Sequence, residues 1–171
     1  MHQYFDLVYR AAASTLSALN ESDKLIRQGS GTTAAIKNLQ AIRLQKAIMA
    51  IGMFSLFESV VQDSTKCKNG FAEVRRCLEV QKETALAKRF SQFYAAVNVL
   101  KHGRGESYES LLRDNQLPFR IERAGAPLFV EYDLTGVATL VDADDRFVLD
   151  CAQLIRNVSD VVRQVHPHSW L

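Results

Sequence analysis

The stretch Phe90–Tyr108 (FSQFYAAVNVLKHGRGESY) contains the side chains with the clearest chemical capacity. On a helix, Asn98 and His102 stand four residues apart and therefore lie side by side on one face. The glycine that follows predicts the end of this helix, which places His102 in its last turn. The helix dipole favours the protonated imidazole there, and Arg104 adds positive charge nearby. This arrangement is typical of a general acid that also binds phosphate.

A purely structural role for the same residues is the alternative. His102 would then cap the carboxyl end of the helix with Asn98 exposed beside it, and most histidines in proteins are not catalytic. Other chemical motifs do not occur in the sequence. It contains no GxxxxGK[ST] phosphate loop, no GxGxxG after a strand, no GxSxG and no HExxH.

The elements that must position these residues are mainly helices. Apolar residues recur every three or four positions, which is the helical period. They predict helices over Gln3–Leu19, Thr33–Asp63, Phe71–Val80, Glu83–Lys101, Ser107–Arg113 and a last helix after the acidic cluster 142–145. From Ala47 onward the second helix is apolar nearly all round, as expected for a helix in the middle of a bundle.

Residues 118–141 have a different character. The runs FRIER and LFVEY flank the Gly/Pro segment AGAP, which predicts two short strands, and VATLV is a candidate third. Runs of this length do not form an independent domain. The sequence therefore predicts one mainly α domain over residues 1–171, an antiparallel helical bundle with a small β-hairpin insert at 118–141 before the last helix.

Composition agrees with a globular domain and shows an uneven distribution of charge. The chain has 171 residues, of which 47% are hydrophobic, and this excludes general disorder. Residues 1–105 carry a net charge of +7 and residues 106–171 carry −5. A basic part of this kind fits a surface that binds polyanions, whereas a mixed, solvated surface is the alternative.

The cysteines and the chain's most apolar stretch indicate a cytoplasmic protein without a cofactor. Cys67, Cys77 and Cys151 form no CxxC pair and lie near no histidine cluster, so we predict free thiols and no metal site, with one Cys67–Cys77 disulfide as the alternative. The apolar run 47–57 is too short for the ~20 residues that cross a bilayer, so we expect no contact with a membrane. His166 and His168 lie in a tail (VHPHSWL) that is expected to be a frayed terminus.

The segment 98–103 (NVLKHG) resembles the motif of HEPN-type domains, which are all-helical folds that bind nucleotides and RNA in prokaryotic toxin–antitoxin and phage-defence systems. That motif has an arginine, often followed by asparagine or another polar residue, and a histidine four to six residues beyond the arginine. It lies at a helix end and is often followed by glycine. The segment 53–63 (MFSLFESVVQD) is similar to the family's long second helix with its acidic residue, here Glu58.

The sequence departs from the family at one position. Val97 stands where the family has its arginine, and Arg89 is too far from His102 along the helix to replace it. Arg104 and Arg156 are the candidates that could supply the cation from elsewhere. Glu58 would orient His102 or Arg104, or else it is the first solvent-facing residue of its helix.

The resemblance implies two functions from different classes. The first is a protein of a prokaryotic defence or toxin–antitoxin system that engages RNA or a nucleotide. A metal-independent endoribonuclease of this kind would use His102, Asn98, Arg104 and Glu58 as its site. The alternative is a non-catalytic regulatory or interaction module with a cognate protein partner. In either case we expect a homodimer whose interface lies on or near the face formed by Ser91, Ala95, Asn98 and His102.

Overall fold

A computed structural model describes residues 4–28, 33–122 and 140–169 of the chain. Helices make up 81% of these residues, which confirms the mainly α prediction. The six helices within them are α1 (Tyr4–Gln28), α2 (Thr33–Thr65), α3 (Gly70–Val80), α4 (Thr84–His102), α5 (Glu106–Arg113) and α6 (Asp145–Val165). Each lies where the helical period of the sequence predicted a helix.

The core forms around α6, which packs against α1, α2, α3 and α4. Its apolar stripe is buried as its periodicity predicted, and Val148, Ile155 and Val158 have no exposed surface. A second layer of the core consists of phenylalanines from three helices. The rings of Phe54 and Phe90 stack with their centroids 6.2 Å apart, and other phenylalanines pack edge-on around them. Burial of such side chains stabilises the fold by roughly 1.5–3 kcal/mol each.

Two helices begin at side-chain caps. The carboxylate of Asp144 accepts a hydrogen bond from the Phe147 amide at 2.7 Å, so the acidic cluster begins α6 as the sequence predicted. Asn69 caps α3 in the same way by accepting from the Ala72 amide at 2.9 Å. Both caps satisfy amide groups that a helix start otherwise leaves without a partner.

The first helix is longer than predicted. Its apolar stripe stops at Leu19, but α1 continues to Gln28. The added turns are held by exposed ion pairs along the helix, among them Arg27 with Asp23 at 2.7 Å. Asn20 also donates a hydrogen bond to the Asp145 carboxylate at the start of α6. Periodicity of apolar residues cannot detect turns of this polar kind.

The predicted hairpin lies mostly outside the described residues, since 123–139 are not among them. The two flanking segments meet at one antiparallel bridge between Ile121 and Val141. The Glu122 amide donates to the Leu140 carbonyl at 2.9 Å, and the Asp142 amide donates to the Arg120 carbonyl at 3.1 Å. The ends of the segment are therefore joined at the base, next to the start of α6.

Helix α2 has the length and apolar composition that a membrane-spanning helix needs. Core helices of globular proteins meet the same criterion, and α2 packs against α1, α3, α4 and α6. Length and composition therefore do not decide between the two, and the absence of a membrane contact stays a prediction.

Candidate functional site

The carboxyl end of α4 has the geometry that the sequence predicted. Gly103 ends the helix with a φ of 74°, a backbone conformation that favours glycine, and its amide donates to the Val99 carbonyl at 2.8 Å. His102 is in the last turn and is exposed, as are Lys101 before it and Arg104 after it. We call Lys101, His102 and Arg104 the α4-end cluster.

The side chains of the α4-end cluster are free to meet a ligand. Across residues 4–28, 33–122 and 140–169, none of the three forms a hydrogen bond or an ion pair with another described residue. The nearest acidic residue along the chain is Glu106, an exposed side chain in the first turn of α5, where the helix dipole stabilises a carboxylate. The cluster is therefore solvated, and its cations have no ion-pair partner among the described residues.

The other two predicted site residues do not join the α4-end cluster. Asn98 is half-buried and makes no hydrogen bond with His102 among the described contacts. Glu58 is half-buried where α2 meets α3, and its backbone carbonyl lies so close to Gly70 that a Cβ there would approach it to 2.6 Å. The described contacts do not include one between Glu58 and His102. Glu58 thus packs where α2 meets α3, which is neither of the two roles expected from the sequence, and its orienting role stays a prediction.

The structure shows which of Arg89, Arg104 and Arg156 already pair with an acidic side chain. Val97, at the family's arginine position, is 3% exposed and belongs to the core. Arg89 pairs with Asp150 at 3.1 Å and lies over the Phe93 ring, and Arg156 pairs with Asp6 at 2.9 Å. Arg104 is the one candidate without such a partner among the described residues.

Helix α5 is anchored firmly beside the α4-end cluster. The buried side chain of Gln92 donates to the Asp114 carboxylate at 2.7 Å and to the Gln116 carbonyl at 3.3 Å. Tyr108 is 2% exposed and its hydroxyl donates to the Glu122 carbonyl at 2.6 Å. Tyr108 is therefore a packing residue and has no free face for a nucleobase. These contacts hold α5 and the residues that follow it against α4.

The face predicted to form the dimer contact lies next to α5. Ser91 and Ala95 border a groove between α4 and α5 that also includes Ser110, Leu111 and Asp114. Ala95 is half-buried and packs against the core, whereas Ser91 is exposed. A second chain on this face would therefore contact α5 as well as α4.

A cluster that the sequence analysis did not predict lies at the contact of α3 with the end of α6. The Glu73 Oε1 atom is 2.6 Å from His166 Nε2, 2.5 Å from Arg76 Nη2 and 3.5 Å from Cys77 Sγ. The hydrogen bond from Arg76, aided by His166 and opposed by burial, lowers the pKa of Glu73 to about 2. Burial, with the nearby Glu73 carboxylate, raises the pKa of the Cys77 thiol to about 11.

This cluster corrects one prediction and explains why it failed. His166 is not part of a frayed terminus, because its ring contacts Glu73 and its amide caps α6 by donating to the Val162 carbonyl. The sequence did contain a weak signal, since Glu73 and Cys77 stand four residues apart on one helix face. Their partner is 93 residues further along the chain from Glu73, and no local pattern connects positions at that distance.

Comparison of the chain with protein-family models, with curated proteins and with solved structures finds no match.

Proposed function

We propose that this chain is a HEPN-like RNA-binding protein of a prokaryotic defence or toxin–antitoxin system, and that the α4-end cluster binds the RNA backbone. The observation that carries the proposal is the exposure of Lys101, His102 and Arg104 at one helix end without an internal partner. Cations that are already paired inside a protein gain little from phosphate, whereas free cations release the counterions of RNA when they bind it.

The local geometry supports contact with a phosphodiester. Arg104 offers planar N–H donors that match two phosphate oxygens, and Lys101 adds a point charge. His102, in the last turn of α4, contributes a ring N–H donor. Asn98, one turn earlier, is half-buried and would contribute at the edge of the contact.

Binding without cleavage is the form of this function that the structure favours. In the family, the arginine and histidine of two subunits converge on the RNA, and the 2′-hydroxyl attacks the phosphorus without a metal. Here the arginine position is a buried valine. If the chain cleaves RNA, His102 would protonate the leaving group and Arg104 would stabilise the developing charge.

A second candidate function is a protein-binding module with a cognate partner. Leu44, Ile48 and Leu56 on α2 are 48–56% exposed, which is unusual for large apolar side chains on one helix. Partner binding through α2 would bury these three side chains, and the α4-end cluster would take no part in the contact. A stable complex with the product of an adjacent gene, together with no RNA affinity, would favour this candidate.

The test compares RNA binding by charge-matched variants. Fluorescence anisotropy with labelled single-stranded and hairpin RNA, in EDTA, measures the affinity of the wild type, of K101A/R104A and of R10A/K37A. Each double variant removes two exposed cations, which lie on a helix or just beyond its end. We expect K101A/R104A to weaken binding by about tenfold or more and R10A/K37A to weaken it much less. Gel analysis of the same samples shows whether the RNA is cleaved, and H102A must abolish any cleavage.

A further inference from the structure

We infer that Glu73, Cys77 and His166 form a binding site for a divalent cation of the zinc class, at the contact of α3 with the carboxyl end of α6. One ligand atom from each residue lies within 4.8 Å of the other two. This inference is independent of RNA binding, because none of these residues belongs to the α4-end cluster.

The spacing of the three atoms fits a small metal centre. Zinc binds nitrogen and oxygen at about 2.0–2.2 Å and sulfur at about 2.3 Å, so tetrahedral ligands stand roughly 3–4 Å apart. The sulfur of Cys77 is 3.5 Å from Glu73 Oε1 and already has this separation. His166 Nε2, at 2.6 Å from the same oxygen, must withdraw by about 0.5–1 Å. His166 is the C-cap residue of α6, outside the helix itself, so this adjustment does not disturb the core.

The donor set is selective for borderline metals. Thiolate, imidazole and carboxylate together suit zinc, whereas magnesium and calcium prefer oxygen ligands alone. Coordination replaces the thiol proton of Cys77, which passes to solvent. Three protein ligands leave a fourth position for water. A cavity of about 280 Å³ lies beside His166 and is lined also by Ser64, Thr65 and His168.

The hydrogen-bond pattern around Glu73 also points to a cation. Oε1 receives contacts from Arg76, His166 and Cys77 at once, more donors than its lone pairs can serve. His166 Nε2 lies 3.2 Å from Arg76 Nη2 as well, and one ring nitrogen cannot both accept from arginine and donate to a carboxylate. With an ion between the ligands, Nε2 and Oε1 both become donors of electron pairs to the metal, and this conflict disappears.

Arg76 then has a supporting role. Its Nε atom is 3.0 Å from Glu73 Oε2, the carboxylate oxygen that remains when Oε1 binds the metal. The Arg76 side chain is 50% exposed and can move its outer nitrogen away from the ion while it keeps this bond. A partner of this kind orients the ligating carboxylate.

The test uses the full chain, freed of metal by chelator and dialysis. Zinc chloride is titrated in competition with a chromophoric chelator, and cobalt(II) chloride is added to parallel samples to detect thiolate coordination by its charge-transfer absorption. The variants are C77S, H166A, E73Q and H168A, with H102A as the control that removes an exposed histidine elsewhere. Circular dichroism checks that each variant is folded.

We expect one equivalent of zinc per chain and a cobalt–thiolate band in the wild type and in H102A. C77S should lose the band, and H166A and E73Q should weaken zinc binding by about tenfold or more. If C77S does not fold, the zinc affinity of H166A is the deciding measurement. This variant is expected to fold, because the His166 side chain is 30% exposed and lies outside the core. Absence of saturable binding in the wild type would overturn the inference. So would a site that H168A abolishes and C77S leaves intact, because that result would indicate the two tail histidines alone.

Discussion

At the scale of single residues, contacts with Arg76 and His166 lower the pKa of the Glu73 carboxyl. Its side chain is 15% exposed and is held by the half-exposed guanidinium of Arg76 and by His166. The pKa of Glu73 falls from 4.5 to about 2, so the folded state favours the ionised carboxylate. The stability that this provides is present above pH 4.5 and is lost as the pH falls from there towards 2.

The first prediction concerns acid sensitivity. Replacing Glu73 by glutamine should lower the free energy of unfolding at pH 7 by about 1–2 kcal/mol, less than the pKa shift alone implies because solvent screens the pair. The loss should shrink as the pH falls below 4.5, since the wild-type carboxylate is then protonated in the unfolded chain. Urea denaturation between pH 7 and 3 measures this. E79Q, on the same helix at an exposed position, is the control and should change stability little. An equal loss for E73Q at every pH would contradict the electrostatic account.

Residues with local signals could be predicted from the sequence, and those that depend on tertiary contacts could not. The position of His102 in the last turn of α4 follows from the glycine beside it. The packing of Glu58 against Gly70 does not, because it depends on the angle at which α3 leaves α2. The Glu73–His166 contact joins α3 to the end of α6 and has no local signature.

At the scale of the elements, the contact between α2 and α3 depends on a glycine. Gly70 is buried at the start of α3, and a Cβ there would lie 2.6 Å from the Glu58 backbone carbonyl and 3.1 Å from its Cγ. Backbone atoms cannot move aside as a flexible side chain can, so the two helices would have to separate. Gly52, in the middle of α2, has open space where a Cβ would lie.

These two glycines give a matched prediction. Gly70→Ala should destabilise the protein by about 1–3 kcal/mol through overpacking. Gly52→Ala should stabilise it by about 0.5–1 kcal/mol, because alanine has the better helix propensity and meets no neighbour. Thermal and urea denaturation of both variants measures the effects. Equal effects of the two substitutions would show that the α2–α3 contact is not as close as described.

The helices could be predicted because their apolar residues recur with the helical period. The start of α6 was also predicted, since the acidic cluster that precedes it contains the cap residue Asp144. The polar end of α1 was missed because its turns are held by ion pairs at the surface. The predicted hairpin stays a prediction, and the bridge between Ile121 and Val141 brings together the two segments that flank it.

At the scale of the whole molecule, two exposed surfaces of the chain could form the contact between subunits. The predicted homodimer face includes Ser91, which is exposed beside the groove between α4 and α5. The exposed apolar residues Leu44, Ile48 and Leu56 of α2 offer a different surface for association.

A pair of matched variants distinguishes these two surfaces. We predict by sedimentation equilibrium a species of about twice the 19.2 kDa chain mass at tens of micromolar protein. Ser91→Arg should produce monomers, whereas Ser55→Arg, on an exposed position of α2, should leave the dimer intact. The reverse pattern would place the interface on α2. A wild-type monomer at this concentration would contradict the predicted homodimer.

The central claim, that the α4-end cluster binds the RNA backbone, is tested most directly by the salt dependence of RNA affinity. Each cation that contacts a phosphate of single-stranded RNA contributes about −0.7 to the slope of log K against log salt. We predict that K101A/R104A reduces the magnitude of the slope by about 1.4, whereas R10A/K37A leaves it nearly unchanged. An affinity and slope in K101A/R104A equal to those of the wild type, or no measurable RNA binding by the wild type, would contradict the account.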